Sequence, residues 1–273
     1  MAFDLANLRL RVISALVLAP LVLAAVWFGG WIFAAAIILA TGVALFEWLR
    51  IIDAKVDRPT IVFGCTCLAV TVGAAAWRPQ MALNGVLICL VLAAALFLWL
   101  LYEHKDKNIA FWSAFGIPYL AGSGFALVYA RSLNAGLAMV VYVLVVVWGT
   151  DIGAYIAGRL IGGPQLAPRI SPKKTWAGLF GGMALAMLIG YIAAAGFHAD
   201  RPLAAASFAL VLAIVAQIGD LFKSYFKRRA GVKDSGQLIP GHGGVLDRID
   251  GLVFAALFFV VFEDAMGAQS SWW

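Results

Sequence analysis

Charged side chains are scarce in this sequence: only 12% of its 273 residues are Asp, Glu, Lys or Arg, whereas 64% are hydrophobic. A soluble domain carries about 25% charged residues, so this chain has too few to cover a surface that faces water. Apolar runs of about 20 residues recur along the sequence, and each is long enough to cross a bilayer. The shortage of charge therefore excludes an ordinary soluble protein and predicts an all-α, polytopic membrane protein.

Cysteine is also rare, and Cys65, Cys67 and Cys89 all lie inside apolar runs. Cys65 and Cys67 are two residues apart, so on a helix they point to different faces and form a poor metal clamp. We therefore expect neither a zinc site nor a disulfide framework. The sequence also lacks a G-x-x-x-x-G-K-S/T run, which argues against a P-loop. It shows no internal repeat, which argues against an inverted-repeat transporter.

Nine apolar runs are candidate membrane spans, at about residues 11–29, 31–50, 60–77, 83–102, 110–130, 135–157, 177–197, 203–222 and 250–267. The fifth is the weakest, because Pro118 and two glycines interrupt it. When the N-terminus is placed in the cytoplasm, the inner segments carry 17 of the 20 basic residues. The outer segments carry only Arg78, Arg131 and Arg201. The positive-inside rule therefore supports nine spans, with the N-terminus cytoplasmic and the C-terminus on the opposite side.

Three carboxylates lie within or at the edge of these apolar runs: Glu47, Asp151 and Asp220. Ionisable groups at membrane depth are costly and usually functional. In the predicted topology each belongs to a helix whose nearby end is cytoplasmic, so all three lie near the inner surface. The alternative, above all for Glu47, is an interfacial carboxylate that simply reaches water.

The inner loop at about residues 158–176 combines basic and hydroxyl side chains just before a helix begins. Backbone N–H groups and the helix dipole favour an anion at such a helix start, and lysine adds a point charge. Two further candidates precede the loop, four residues apart on one helix face. We expect a phosphate-binding site formed by Ser171, Lys173, Lys174 and Thr175, with Asp151 and Tyr155 as the two substrate-binding candidates on the preceding helix. The alternative is an ordinary inner loop that binds lipid headgroups.

The inner segment at residues 224–250 is more specific. Basic residues occupy its first half, a glycine-rich turn with His242 follows, and Asp247 and Asp250 close it three residues apart on one helix face. Asp220 lies just upstream, on the preceding helix. Carboxylates from two helix ends suit a hard cation such as Mg²⁺, and the glycines let the backbone approach a ligand. This combination is typical of phosphoryl or nucleotidyl transfer, which depends on positioning and charge neutralisation.

The same segment resembles the signature of the CDP-diacylglycerol synthase (phosphatidate cytidylyltransferase) family. The elements of that signature are present at the family's spacing, as Ser224, Lys227-Arg228, Lys233-Asp234, Gly236, Pro240, His242-Gly243-Gly244, Asp247-Arg248 and Asp250. The similarity extends upstream to Asp151-x-x-Ala-Tyr155 and to the block at residues 171–176. Ala177 departs from the family pattern, which often has Glu or Gln there.

The resemblance implies that CTP and phosphatidate react to give CDP-diacylglycerol and pyrophosphate, in a reaction that depends on Mg²⁺. Whether a monovalent cation such as K⁺ joins the Mg²⁺ stays open. The resemblance also implies nine helices and a homodimer embedded in membrane lipid. We expect a bacterial inner-membrane protein whose active site faces the cytoplasm, with no nucleic-acid partner.

Roles for individual residues follow from the resemblance and from their placement at helix ends. The predicted metal ligands are Asp220 and Asp247, with Asp250 as either a third ligand or a group that orients them. These act in catalysis with Lys227, Arg248 and His242, and His242 either contacts phosphate or orders the glycine turn. The predicted substrate-binding residues are Asp151, Tyr155, Ser171, Lys173, Lys174, Thr175, Ser224, Arg228, Lys233, Gly243 and Gly244. We predict one integral-membrane domain over 1–273, in which about 1–105 is mainly scaffold and about 110–267 carries the catalytic loops.

Two other functions fit parts of the pattern. A CTP-dependent lipid kinase, or a cytidylyltransferase for another lipid phosphate, would use the same charges on a different acceptor. An ion-coupled transporter would use Glu47, Asp151 and Asp220 as a relay. The lack of repeats and the gathering of polar groups at one surface argue against the transporter.

Overall fold

The computed structural model describes residues 5–77, 82–103, 105–239 and 243–265. Within these ranges the chain forms ten α-helices, one π-helical turn and two short strands. The elements are α1 (Leu5–Phe28), α2 (Gly30–Ile52), α3 (Arg58–Trp77), α4 (Ala82–Tyr102), α5 (Lys107–Gly116), the π-helical turn (Ile117–Ala121), α6 (Gly122–Ser132), α7 (Gly136–Leu160), β1 (Gln165–Ala167), β2 (Ser171–Thr175), α8 (Trp176–Gly196), α9 (Pro202–Arg229) and α10 (Leu246–Ala265).

Seven helical segments in the described part of the chain are long and apolar enough to cross a membrane. They are Gly30–Ile52, Arg58–Trp77, Gly85–Tyr102, Lys107–Ser132, Gly136–Leu160, Trp176–Gly196 and Pro202–Arg229. This confirms the prediction of an all-α, polytopic membrane protein. Helices α1 and α10 lie at the first and last predicted spans. The count of nine and the orientation of the termini stay predictions.

The fifth predicted span, which Pro118 weakens, is a continuous helical path in the structure. A π-helical turn joins α5 to α6, and Pro118 lies at its start, where the missing N–H is accommodated. Asp106 begins this path by accepting a hydrogen bond from the Asn108 backbone N–H at 2.8 Å. A Cβ atom on Gly116 would lie 2.7 Å from the Trp48 ring, so this glycine lets α5 pack closely on α2.

The chain divides into two compact units, residues 1–132 with 229–249 and residues 133–228 with 250–273. The first unit contains α1 to α6 and the polar segment that leads into α10. The second contains α7, the two strands, α8 and most of α9 and α10. The assignment of scaffold and catalytic parts made from the sequence stays a prediction.

Contacts within the first unit join residues that the topology places on the same side of the membrane. Arg131, predicted outside, donates from Nε to the Val26 carbonyl at 2.7 Å and so caps the end of α1. Lys105 and Asp53, both predicted inside, form an ion pair at 2.9 Å. These two contacts fit the predicted alternation of the first helices across the bilayer.

In the second unit, small residues bring α7 and α8 into close contact, as the glycine-rich sequence predicts. A Cβ atom on Gly153 would lie 2.6 Å from the Gly181 carbonyl oxygen, and one on Gly182 would lie 2.8 Å from the Thr150 oxygen. Helix α7 ends where Gly162 adopts a φ of 68°, a conformation that favours glycine. The following loop contains an antiparallel hairpin of β1 and β2, which was not predicted from the sequence.

Candidate active site

The β2 strand presents Lys174 and Thr175 at the start of α8. Thr175 caps this helix by accepting a hydrogen bond from the Gly178 backbone N–H at 3.0 Å. Lys174 extends to α9, where its Nζ lies 2.6 Å from Asp220 Oδ2 and donates to Gln217 Oε1 at 2.6 Å. The hairpin therefore joins two of the sequence-predicted site residues, one from the loop and one from a membrane helix.

The cytoplasmic end predicted for α9 carries a row of polar side chains at helical spacing: Asp220, Lys223, Ser224 and Lys227. Lys223 is only 2% exposed. Its Nζ lies 3.8 Å from Asp220 Oδ1 and donates a hydrogen bond to Asp250 Oδ2. The Ser224 hydroxyl donates to Asp220 Oδ1 at 3.3 Å. Lys227, the last member of the row, is also buried.

Two carboxylates and two lysines thus form one cluster in the second unit, which we call the α9 charge cluster: Lys174, Asp220, Lys223 and Asp250. Lys223 Nζ contacts both Asp220 and Asp250, so the two carboxylates lie on either side of one lysine. Two carboxylates this close repel unless cations lie between them, and the two lysines supply that charge. The cluster therefore assembles closely spaced charges of both signs at the end of an apolar helix.

The donor set of this cluster fits a hard cation. Carboxylate oxygens from Asp220 and Asp250, with the Ser224 hydroxyl nearby, are the kind of ligand that Mg²⁺ prefers. Among the described residues, however, no three His, Cys, Asp or Glu side chains gather closely enough to hold a metal ion. The magnesium site with Asp220, Asp247 and Asp250 therefore stays a prediction.

Asp247, in the first turn of α10, organises the glycine-rich turn in the first unit. Its Oδ2 accepts hydrogen bonds from the Ser235 backbone N–H at 2.8 Å and from the Gly244 N–H at 3.2 Å. Gly243 adopts a φ of 83°, which a residue with a side chain rarely adopts. Ile239 and Gly243 exchange backbone hydrogen bonds at 2.9 and 3.1 Å, which close the turn.

Glu47 also contacts this turn, from α2. It is 4% exposed and accepts hydrogen bonds from the Ser235 hydroxyl and from the backbone N–H groups of Val245 and Leu246. The alternative of a carboxylate that simply reaches water is therefore wrong for Glu47. The structure assigns it to the turn that precedes α10.

The other predicted residues differ in exposure. The exposed ones are Asp151, Tyr155, Lys173, Arg228, Lys233 and Arg248, whereas Ser171 is half-buried. Asp151 and Tyr155 share an exposed face of α7, where Arg159 donates to the Tyr155 hydroxyl at 2.7 Å. Arg228 donates from Nε to the Ile170 carbonyl at 3.1 Å, which ties α9 to the hairpin. His242 lies outside the described residues.

Sequence reasoning missed Lys223, Gln217 and Ser235 as members of these groups. Lys223 was counted only as one of the inner basic residues. The sequence does contain a signal for Lys223, because it stands three residues after Asp220 on one helix. Side chains at this spacing lie on the same helix face and can contact each other. Gln217 likewise stands three residues before Asp220 on this helix, whereas Ser235 binds Glu47, which is 188 residues away in the chain.

Comparison with known proteins gives a consistent family assignment. Residues 9–265 match the family model described as "Cytidylyltransferase family". The phosphatidate cytidylyltransferase of Brucella suis is 39% identical over 267 residues, which cover 94% of each chain. The protein of the same name from Pseudomonas aeruginosa is 36% identical over 266 residues, which cover 92% of this chain and 97% of the relative. That of Haemophilus influenzae is 35% identical, and the match covers 93% and 98% of the two chains. This chain therefore belongs to the cytidylyltransferase family.

Proposed function

We propose that this protein is a phosphatidate cytidylyltransferase, which transfers the cytidylyl group of CTP to phosphatidate. The products are CDP-diacylglycerol and pyrophosphate. The observation that carries this function is the α9 charge cluster, in which Lys174 and Lys223 converge on two carboxylates at the end of an apolar helix. The relatives named for this activity, which match more than nine-tenths of the chain, support the choice of substrates.

The reaction transfers the cytidylyl group from the pyrophosphate of CTP to the phosphate of phosphatidate. A phosphate oxygen of phosphatidate attacks the α-phosphorus of CTP and forms a new phosphorus–oxygen bond. The bond from that phosphorus to the bridging oxygen of the β-phosphate breaks, and pyrophosphate leaves with the electron pair. Both substrates are anionic, so the protein must bring like charges together. Lys174 and Lys223, with the buried Lys227, supply positive charge for this purpose.

The acidic half of the cluster suits a divalent cation, and we infer that this cation is Mg²⁺. Asp220 and Asp247 would hold it, as the sequence predicts, with Asp250 as the third ligand or as a group that orients them. Bound Mg²⁺ would neutralise charge on the triphosphate. A monovalent cation such as K⁺ is a further candidate for the same acidic groups. Chelation with EDTA should abolish turnover, and restored Mg²⁺ should recover it.

The membrane position explains how a lipid and a nucleotide can meet. Phosphatidate keeps its acyl chains in the bilayer, whereas CTP arrives from water, so the site belongs at an interface. We infer that this interface is the cytoplasmic face of the bacterial inner membrane. The bacterial relatives and the 17 basic residues on the predicted inner side support this location. We also propose a homodimer, as the family resemblance implies, which cross-linking in native membranes would test.

A direct product assay tests the proposed function. Purified protein in detergent or liposomes receives radiolabelled CTP, phosphatidate and Mg²⁺. We expect a chloroform-soluble CDP-lipid and an equal amount of pyrophosphate, and neither without phosphatidate. Diacylglycerol as the acceptor serves as the control, because it lacks the attacking phosphate. If no lipid phosphate yields a CDP-lipid, the proposed function is wrong.

A further inference from the structure

Glu47 lies on α2, far in sequence from the polar segment that precedes α10, yet its carboxylate is buried against that segment. We infer that Glu47 is a positioning residue for the transfer reaction, which holds the glycine loop (residues 235–239 and 243–246) in its working conformation. This inference rests on the proposed function only for its effect on turnover, since the effect on the loop can be measured separately.

Three donors converge on the Glu47 carboxylate. Oε1 accepts from the Val245 backbone N–H at 3.1 Å, and Oε2 accepts from the Leu246 backbone N–H at 2.8 Å. The Ser235 hydroxyl donates to Oε2 at 3.0 Å. None of these three groups is a cation, so the bonds are directional contacts that fix the loop backbone.

The position of Glu47 explains why α10 can begin where it does. The first backbone N–H groups of a helix have no partner within the helix, and a Ser, Thr, Asp or Asn just before it usually provides one. Val245 precedes α10 and has no side-chain acceptor. Glu47, 199 residues away from Leu246 in the chain, supplies the acceptor and places a negative charge at the positive end of the helix dipole.

Two glycines of the segment are explained by the same carboxylate. A Cβ atom on Gly236 would lie 3.0 Å from Glu47 Cδ and still closer to Oε1. A Cβ atom on Gly244 would lie 2.6 Å from Glu47 Oε1 and closer to Oε2. Side chains at either position would therefore push the carboxylate away from its donors. These glycines make room for Glu47, whereas the sequence pattern suggested that they make room for a ligand.

Ser235 and Gly244 relate Glu47 to catalysis, because both donate hydrogen bonds to Asp247. The Ser235 hydroxyl binds Glu47, while its backbone N–H donates to Asp247 Oδ2 at 2.8 Å. The Gly244 N–H donates to the same Asp247 oxygen at 3.2 Å. Ser235 therefore contacts both carboxylates, and Gly244 directly precedes Val245, whose N–H binds Glu47. Loss of Glu47 should therefore misplace Asp247, the residue predicted to act in catalysis.

Helix α2 is packed against its neighbours directly beside Glu47. Trp48, next to Glu47, is fully buried, and its indole N–H donates to the Trp112 carbonyl at 2.8 Å. The Trp48 ring also lies 5.2 Å from the Tyr119 ring. A positioning group works best on a packed helix, because its own rotamer is then fixed.

The test compares Glu47→Ala, Glu47→Gln and Glu47→Asp with Thr41→Ala as the matched control. Thr41 is buried on the same helix, but its hydroxyl donates only to the Ile37 carbonyl of that helix, at 2.6 Å. Glu47→Ala leaves the donors of Ser235, Val245 and Leu246 without their acceptor, which should misplace Asp247. We therefore expect kcat to fall by about tenfold to hundredfold. We expect a smaller loss for Glu47→Gln, which keeps one oxygen, and wild-type turnover for Thr41→Ala.

Hydrogen–deuterium exchange supplies the readout that does not depend on turnover. In Glu47→Ala, peptides that contain Val245 and Leu246 should exchange faster than in the wild type, while peptides from α7 and α8 should not change. Exchange and kcat both equal to the wild type would overturn the inference. If the wild type makes no CDP-lipid, the proposed function fails, yet the exchange result still decides whether Glu47 holds the loop.

Gly236→Ala is the second variant, in case Glu47→Ala cannot be purified. Its Cβ atom should displace the carboxylate, so we expect faster exchange at Val245 and Leu246 and a reduced kcat. In the Glu47→Ala, Gly236→Ala double variant the glycine change should add little, because the carboxylate that it displaces is gone. Additive losses, or a fully active Gly236→Ala protein, would contradict the inference.

Discussion

Replacement of Lys223 with methionine is expected to destabilise the protein, because this lysine lies between two carboxylates in the α9 charge cluster. Its Nζ hydrogen-bonds Asp250 and lies 3.8 Å from Asp220. Methionine keeps a long flexible side chain but removes the charge. Removal of one partner from a buried ion pair costs about 3–5 kcal/mol. Lys174 still pairs with Asp220 at 2.6 Å, so we expect a loss near the lower limit, about 3 kcal/mol.

Equilibrium unfolding in mixed detergent, followed by tryptophan fluorescence, measures this loss. The Lys105→Met variant is the control, because Lys105 and Asp53 form an ion pair at 2.9 Å whose side chains are 26% and 14% exposed. A partly exposed pair of this kind should contribute about 1 kcal/mol or less. Addition of Asp250→Asn to Lys223→Met should recover part of the stability, since no buried carboxylate then remains without its lysine. If Lys223→Met is no more destabilising than Lys105→Met, the reasoning about the cluster is refuted.

Three further results follow from the site and its surroundings. Asp247→Asn should lower turnover at least about a hundredfold with the protein still folded in the membrane, and near-normal turnover in the product assay would contradict its predicted role. Lys173→Ala should raise the KM for CTP and leave kcat nearly unchanged, as steady-state kinetics would show, because Lys173 is an exposed point charge on β2. Thr60, whose backbone N–H donates to Asp57 Oδ1 at 2.8 Å, lowers the pKa of Asp57, so this carboxylate stabilises the start of α3 above the usual aspartate pKa, and the benefit is lost as the pH falls. Thermal unfolding should therefore separate the wild type from Asp57→Ala at about pH 7, and the difference should shrink as the pH falls below the usual aspartate pKa.

The helical architecture was predictable because the signal is repeated along the chain. Apolar runs long enough to cross a bilayer mark most helices, and α5 to α6 is helical despite Pro118. The short hairpin was not predictable in the same way. Its strands contain three and five residues, and their pairing depends on a turn and on contacts with α9 more than on any alternation in the sequence.

The candidate site was predictable where its residues stand close in the chain. Asp220, Ser224 and Asp250 were predicted from their spacing and from the family resemblance. In the structure Ser224 hydrogen-bonds Asp220, and Lys223 contacts both Asp220 and Asp250. Glu47 was suspected from its depth in the membrane, but its role was not readable. Its partners lie 188 to 199 residues away, and only the fold shows that a carboxylate on α2 caps α10.

The fate of the phosphates of CTP tests the central claim most directly. Two parallel reactions with phosphatidate and Mg²⁺ use CTP labelled at either its α- or its γ-phosphorus. A phosphatidate cytidylyltransferase should place the α label in a chloroform-soluble CDP-lipid and release the γ label as pyrophosphate in the aqueous phase. Transfer of the γ label to lipid, with the α label left in CDP, would show a CTP-dependent lipid kinase and would contradict cytidylyl transfer as the function of this protein.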